Sequence, residues 1–211
     1  MSTEHVNPAL RSYVEREIIP RYDLHDKAHR RDHVEYVIGE ALRLAAFYDV
    51  DADMVYVAAA YHDTGLCKGR KTHHLVSGEI IRSDSELRKF FTPEQVEIVA
   101  QAAEDHRASG KNEPRSIYGK LISEADRQID AEVTLRRIIQ YGLANFPSLN
   151  KEEQWLRTLE HLHEKYADGG YLKLWIPESP NKARLAAFRE LIRDEVRLRP
   201  IFNEIYDQLS D

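Results

Sequence analysis

Residues Ala58 to Gly65 read Ala-Ala-Ala-Tyr-His-Asp-Thr-Gly, and no other stretch limits the chain's possible folds so strongly. An apolar helical run delivers a histidine and an aspartate side by side and then stops at glycine. Val55, Ala59 and His62 fall at i, i+4 and i+7, on one helix face with apolar neighbours, so this face looks inward. A neutral imidazole beside a carboxylate at the end of a buried helix supplies one borderline and one hard donor, which suits a divalent ion that must hold oxygen-rich substrates. Gly65 is read as the residue that lets the chain leave the helix in a conformation other residues avoid. An isolated His-Asp pair is more often a core histidine next to a surface acid, so the case for a metal site rests on the rest of the chain.

Composition narrows the partners. At 211 residues the chain suits one well-cored domain. A net charge of -6 gives no general electrostatic case for a nucleic acid polymer or an anionic membrane. The single cysteine, Cys67, forms no internal disulfide, and the N-terminus has no apolar signal core; both fit a reducing cytoplasm. No window reaches the length of a membrane span. Most of the 10 histidines sit in the first half, a bias toward metal or proton chemistry.

Periodicity places helices throughout. Leu10, Val14, Ile18 and Ile19 form an apolar stripe that Pro20 ends, and residues 21–28 read as a loop holding a second pair, His25-Asp26, without an apolar helical frame. From His29 a helix runs to about Asp49 with Val34, Val37, Ile38, Ala41, Leu42 and Ala45 at helical period. His29 and His33 stand one turn apart on it: both can reach one site, one can ligate while the other supports it, or both can cap the helix start. Asp51 or Asp53 caps the next helix, which ends in His62-Asp63. A loop with Lys68, Arg70 and Lys71 leads to a helix containing His73 and His74; its cations suit a phosphate, or are ordinary solvated charges. His74, Gly78 and Ile81 share one face there. Thr92 and Pro93 open a helix whose inward stripe, Val96, Val99 and Ala103, continues to His106. Ile122, Ala125, Asp126, Ile129 and Val133 mark a further buried helix, and a carboxylate at Asp126 needs a cation or donors to offset its desolvation. The last third reads as helices over 151–166 and 182–198, with Val196 on the apolar side, then a short one after Pro200. Strand alternation is absent, so the expected fold is all-α: a single-domain helical bundle over 1–211, with a core at 20–131 and a C-terminal helical extension, 132–211, packed on it.

His33, then His62-Asp63, then Asp126, each on the buried side of a different helix, is the order H, HD, D, and this resembles the HD-domain superfamily of metal-dependent phosphohydrolases. His33-Val34-Glu35-Tyr36-Val37 and Ala125-Asp126-Arg127 support it, over about residues 20–131. The resemblance implies His33, His62, Asp63 and Asp126 as ligands of one divalent ion, with His29 supporting, and His74 and His106 in the places where some members hold a second. The stretch Arg107-Ala108-Ser109-Gly110-Lys111 lacks the extended motif of cyclic-di-nucleotide phosphodiesterases.

It further implies hydrolysis of a phosphoester or phosphoanhydride in a small phosphorylated substrate, a nucleotide foremost, with Mn, Fe, Ni, Co, Zn or Mg as the ion. Asp63 is then the catalytic group that orients the water or takes its proton, and Lys71, Arg107 and Arg127 are candidates for the phosphoryl oxygens, Arg127 being alternatively the structural partner of a nearby acid. Asp105 and Glu124 flank the proposed ligands and read as solvated acids first. The rival reading is a non-catalytic HD module that binds a nucleotide or protein with a structural metal, for which a lost ligand would be the mark.

Overall fold

The apolar run ahead of His62 becomes the buried centre of the first part of the chain. The computed structural model describes residues 1–24, 30–110 and 112–210, so the expectations for His25, Asp26 and His29 lie outside the described residues. Among the described residues ten α-helices run in order: α1 (Pro8–Glu17), α2 (Arg31–Ala45), α3 (Ala52–Tyr61), α4 (His73–Ser83), α5 (Pro93–Asp105), α6 (Ile117–Ala125), α7 (Ala131–Asn145), α8 (Lys151–Lys165), α9 (Asn181–Arg193) and α10 (Glu195–Ser210). Among the described residues there is no strand, and the fold is all-α.

Contacts divide the chain into two compact units, one made of Met1–Arg127 with Trp175–Ser179, the other of Gln128–Leu174 with Pro180–Asp211. The sequence reading took one domain with its core at 20–131, whereas the first unit reaches back to the N-terminus. The reason is packing: Leu10, Val14 and Ile18 of the N-terminal stripe, and Ile176 from the far end of the chain, enter the same apolar cluster as α2, α3, α5 and α6.

In the first unit α3 touches α1, α2, α5 and α6, and every residue from Met54 to Tyr61 is buried. Its small side chains, Ala58, Ala59 and Ala60, let neighbouring helices approach, while larger partners such as Leu42 and Leu121 each contribute about 1.5–3 kcal/mol by leaving water. Asp51 is the residue that caps α3, accepting from the N–H groups of Asp53 and Met54; Asp53 instead accepts the N–H of Asn7 at 2.8 Å. Thr92 and Gln95 form the reciprocal cap of α5 with Pro93 in the first turn.

Two boundaries depart from the periodicity. The helix expected to carry Asp126 in mid-course ends at Ala125, because Asp130 accepts the N–H of Val133 at 2.9 Å and starts α7 afresh. Residues 19–24 form a 3₁₀ helix that takes in the end of the N-terminal stripe and residues 21–24 of the expected loop, with Tyr22 fully buried. The second unit has its own core, in which Trp155 meets Phe202 and Tyr166 meets Phe188 edge to face at 5.1 and 5.3 Å. There the chain breaks at Asp194, which leaves Pro200 inside α10 and Val196 85% exposed rather than on the apolar side.

Candidate metal centre

α2, α3, α4, α5 and α6 each bring a side chain to one cluster. His33 lies in the first turn of α2, and His62 and Asp63 follow the last residue of α3. Asp126 caps the C-terminus of α6, His106 caps that of α5, and His73 opens α4. Four of these six residues, His33, His62, Asp63 and His106, are buried; His73 and Asp126 are half-buried.

The Asp63 carboxylate divides the cluster. Its Oδ2 stands 3.3 Å from His62 Nε2 and 3.7 Å from His33 Nε2. Its Oδ1 stands 3.2 Å from His73 Nε2 and 3.4 Å from His106 Nε2. On the first side Asp126 Oδ1 approaches His33 Nε2 at 3.2 Å and His62 Nε2 at 3.8 Å. Two triads therefore share one residue: His33, His62 and Asp63, and Asp63, His73 and His106, with ligand atoms in each within 4.8 Å of one another.

Three of the four histidines are oriented by the same local device. Nδ1 of His62 bonds the carbonyl of Ala59 at 2.7 Å, that of His106 the carbonyl of Ala103 at 2.5 Å, and that of His73 the carbonyl of Arg70 at 2.7 Å. A carbonyl only accepts, so each Nδ1 carries a proton, and Nε2 is the nitrogen left to face Asp63 and, once deprotonated, to ligate a metal. This is the arrangement by which a protein fixes an imidazole for a metal. The Nε2 atoms lie close to each other, at 3.3 Å between His33 and His62 and 3.1 Å between His73 and His106. Imidazole nitrogens and carboxylate oxygens gathered in this way are a donor set that a divalent cation fits.

Burial opposes charge on His62, Asp63, His73 and Asp126, and the groups around each set the direction of its shift. For His62, burial opposes the imidazolium, but the Asp63 and Asp126 carboxylates push it up to about 9. Asp63 sits well below the usual carboxylate range, since the charge of His62 and the hydrogen bonds of His106 and His62 outweigh its burial. Asp126 is held low by His33 in the same way. Burial and the neighbouring charge of His106 push His73 down to about 4, which keeps that ring neutral and able to ligate.

The turn at the centre is pinned from two sides. Tyr22 donates its hydroxyl to the carbonyl of Ala60 at 2.9 Å and accepts the N–H of Asp63 at 3.2 Å. Thr64 donates to the carbonyl of Tyr61 at 2.7 Å. Nothing in the alternation around residues 19–24 marks Tyr22 for this role; only the buried tyrosine itself is a signal, and the sequence reading missed it.

Several expectations move. His73 takes the place assigned to His74: the two are adjacent, so they point about 100° apart around α4, and Asp63 lies on the side of His73. The ring of His74 stands edge to face with His73 at 5.5 Å and outside both triads. Arg127, 7% exposed, bonds back to the carbonyl and the hydroxyl of Ser123. These bonds prop the last turn of α6, and neither goes to an acid, the partner its alternative role named. Arg107 donates Nη1 to the carbonyl of Lys71 at 2.7 Å, fastening the basic loop to the end of α5, while the Lys71 side chain is exposed. Asp105 holds Arg115 at 2.8 Å. Glu124, read as a solvated acid, is fully buried and accepts the N–H of Trp175 at 2.7 Å.

Comparison with curated proteins and with solved structures returns no match. A family model described as HD domain matches residues 30–128, which hold all six residues of the cluster. The likeness to the HD-domain family is therefore confined to residues 30–128, just under half of the chain.

Proposed function

We propose that the protein is a two-metal phosphohydrolase that cleaves a phosphoester or phosphoanhydride bond in a small phosphorylated substrate, a nucleotide foremost. The observation that carries this reading is the division of Asp63, one oxygen toward His33 and His62 and the other toward His73 and His106. Asp126 completes the first set. Divalent ions held there supply Lewis-acid charge for phosphoryl oxygens and a water acidified toward neutrality. An imidazole-rich donor set suits Mn, Fe, Co, Ni or Zn better than Mg.

Asp63 stays ionised, so its part is to accept a hydrogen bond and orient the attacking water rather than to store a proton. Lys71 and Arg107 lie on the loop that enters α4 and at the end of α5, where added positive charge stabilises the transferring group. The half-buried Asp126, its side chain 24% exposed, is the ligand most open to solvent on the first side and marks where substrate enters. No described helix is long and apolar enough to cross a membrane. A cytoplasmic setting belongs to the same proposal, and the exposed, unpaired Cys67 agrees with it.

Elemental analysis of tag-free protein purified without chelators, paired with phosphate release from a panel of nucleotides and phosphomonoesters, tests this. About two equivalents of a transition metal and activity lost on chelation are expected. Protein that holds no metal and releases no phosphate after each candidate ion is restored is instead a non-catalytic binding module.

A further inference from the structure

Gly65 lies two residues beyond Asp63, and its backbone presses on the first turn of α4. A Cβ at this position would stand 2.7 Å from the Ser77 nitrogen, 2.9 Å from the His73 carbonyl carbon and closer still to the His73 carbonyl oxygen. These are backbone atoms of a helix and cannot swing aside. Among the described residues positive φ occurs at Gly69 and Gly169 alone, so Gly65 is required for this close approach and not, as its sequence context suggests, for an unusual helix exit. The approach is fastened by a hydrogen bond from the Gly65 N–H to the Ser77 hydroxyl at 2.9 Å, and Ser77 is fully buried.

Both ends of this contact belong to residues that carry the cluster. Gly65 continues the turn that holds Asp63, and the atoms it touches are the main chain of His73. The spacing between Asp63 Oδ1 and His73 Nε2, 3.2 Å, is therefore set by how deeply α4 seats on the glycine. The other side of the cluster has no such dependence: His33 and His62 lie on α2 and at the end of α3, and the turn there is held by Tyr22 and Thr64.

We propose that Gly65 and Ser77 are positioning residues for the second metal, placing His73 against Asp63 while leaving the His33, His62 and Asp126 side unaffected. This rests on the two-metal reading above. A metal–imidazole bond tolerates only about 0.2 Å of error, so a small lift of α4 suffices to lose the ion. Outer contacts of this kind change metal affinity by about 10–100-fold.

The test is manganese titration of the full chain, wild type against Ser77→Ala and Gly65→Ala, read by elemental analysis and by the electron paramagnetic resonance signal of a coupled ion pair. Wild type is expected to bind two equivalents. Ser77→Ala should keep the first at unchanged affinity and bind the second about 10–100-fold more weakly. Gly65→Ala should hold one equivalent and show only the signal of an isolated ion. Circular dichroism checks that helix content is kept, and Ser77→Ala, which removes one hydroxyl and adds no bulk, is decisive if the glycine variant does not fold. Two equivalents of unchanged affinity in Ser77→Ala, with one lost from His73→Ala, overturn this assignment and leave the two-metal reading standing. A single equivalent in wild type overturns both. Loss of both equivalents together from a folded Ser77→Ala protein overturns the claimed selectivity.

Discussion

The two sides of Asp63 use the same donors but are built differently. His33 and His62 sit within or directly after helices whose inner faces are apolar throughout, so burying the helix aims the ligand. His73 and His106 sit at helix ends, the first residue of α4 and the cap of α5, and their directions depend on how each helix starts or stops. All four histidines lie at helix termini, and His33, His62 and His106 are buried; what sets the second side apart is His73, half-buried and the first residue of its helix. A half-buried helix start is held by fewer contacts than a buried one, so the second side should be the easier to disable.

The sharpest way to break the comparison is to remove what the sides share. Asp63→Ala should abolish bound metal on both sides and lower phosphate release by at least about 10³-fold while leaving helix content unchanged. Retention of one tightly bound equivalent in that variant would show that the carboxylate serves one side only. Next in size is the contrast between neighbours. His73→Ala should lose one of two equivalents and most of the activity, whereas His74→Ala should keep both equivalents. The reverse result would place the second side on the other face of α4.

That contrast also shows what was legible in the sequence. The inward faces of α2 and α3 are long enough for their period to fix the direction of His33 and His62 without a structure. Asp126 and His106 were reachable by extending a stripe, even though α6 stops one residue before the aspartate. His73 was not reachable, because the stripe through Gly78 and Ile81, at spacings of four and seven, selects His74, while the seating of α4 rests on its contact with Gly65, distant in pattern from both histidines. Gly78 marks a close approach to α5: a Cβ there would lie 2.7 Å from Glu104 Cγ. Tyr22 and Glu124 were missed for a different reason. Their partners, the backbone groups of residues 60, 63 and 175, are distant in sequence, and hydrogen bonds to backbone leave no trace in side-chain pattern.

On the first side the expected losses are smaller and graded. Tyr22→Phe removes a hydroxyl that serves both Ala60 and Asp63, leaving the buried N–H of Asp63 without this acceptor. Stability should fall by about 1–3 kcal/mol in denaturant melts, and the first equivalent of metal should weaken by about 10-fold. An unchanged first equivalent would mean that the core alone, without the tyrosine, holds the His-Asp turn.

The smallest expected effect lies in the wall behind the second side. Arg82 of α4 bonds Glu97 at 2.8 Å and Glu104 at 2.5 Å on α5, and Arg115 reaches Glu104 at 2.6 Å. Arg82 pulls the Glu97 carboxyl down to about 2. Glu104 is also held low, its burial opposed by Arg82 and Arg115. Both folded values lie below the unfolded ones, so this stabilisation is present above the ordinary carboxylate range and is lost as pH falls from 4.5 toward about 2. Arg82→Met should therefore cost about 1 kcal/mol at pH 7, most of it from Glu104, whose side chain is 12% exposed, and little from Glu97, at 46%. Urea melts of the two proteins should converge as the pH is lowered through that window. A gap that persists at low pH would assign the cost to lost packing of the arginine stem instead, and the α4–α5 wall would then hold His73 and His106 together through shape rather than charge.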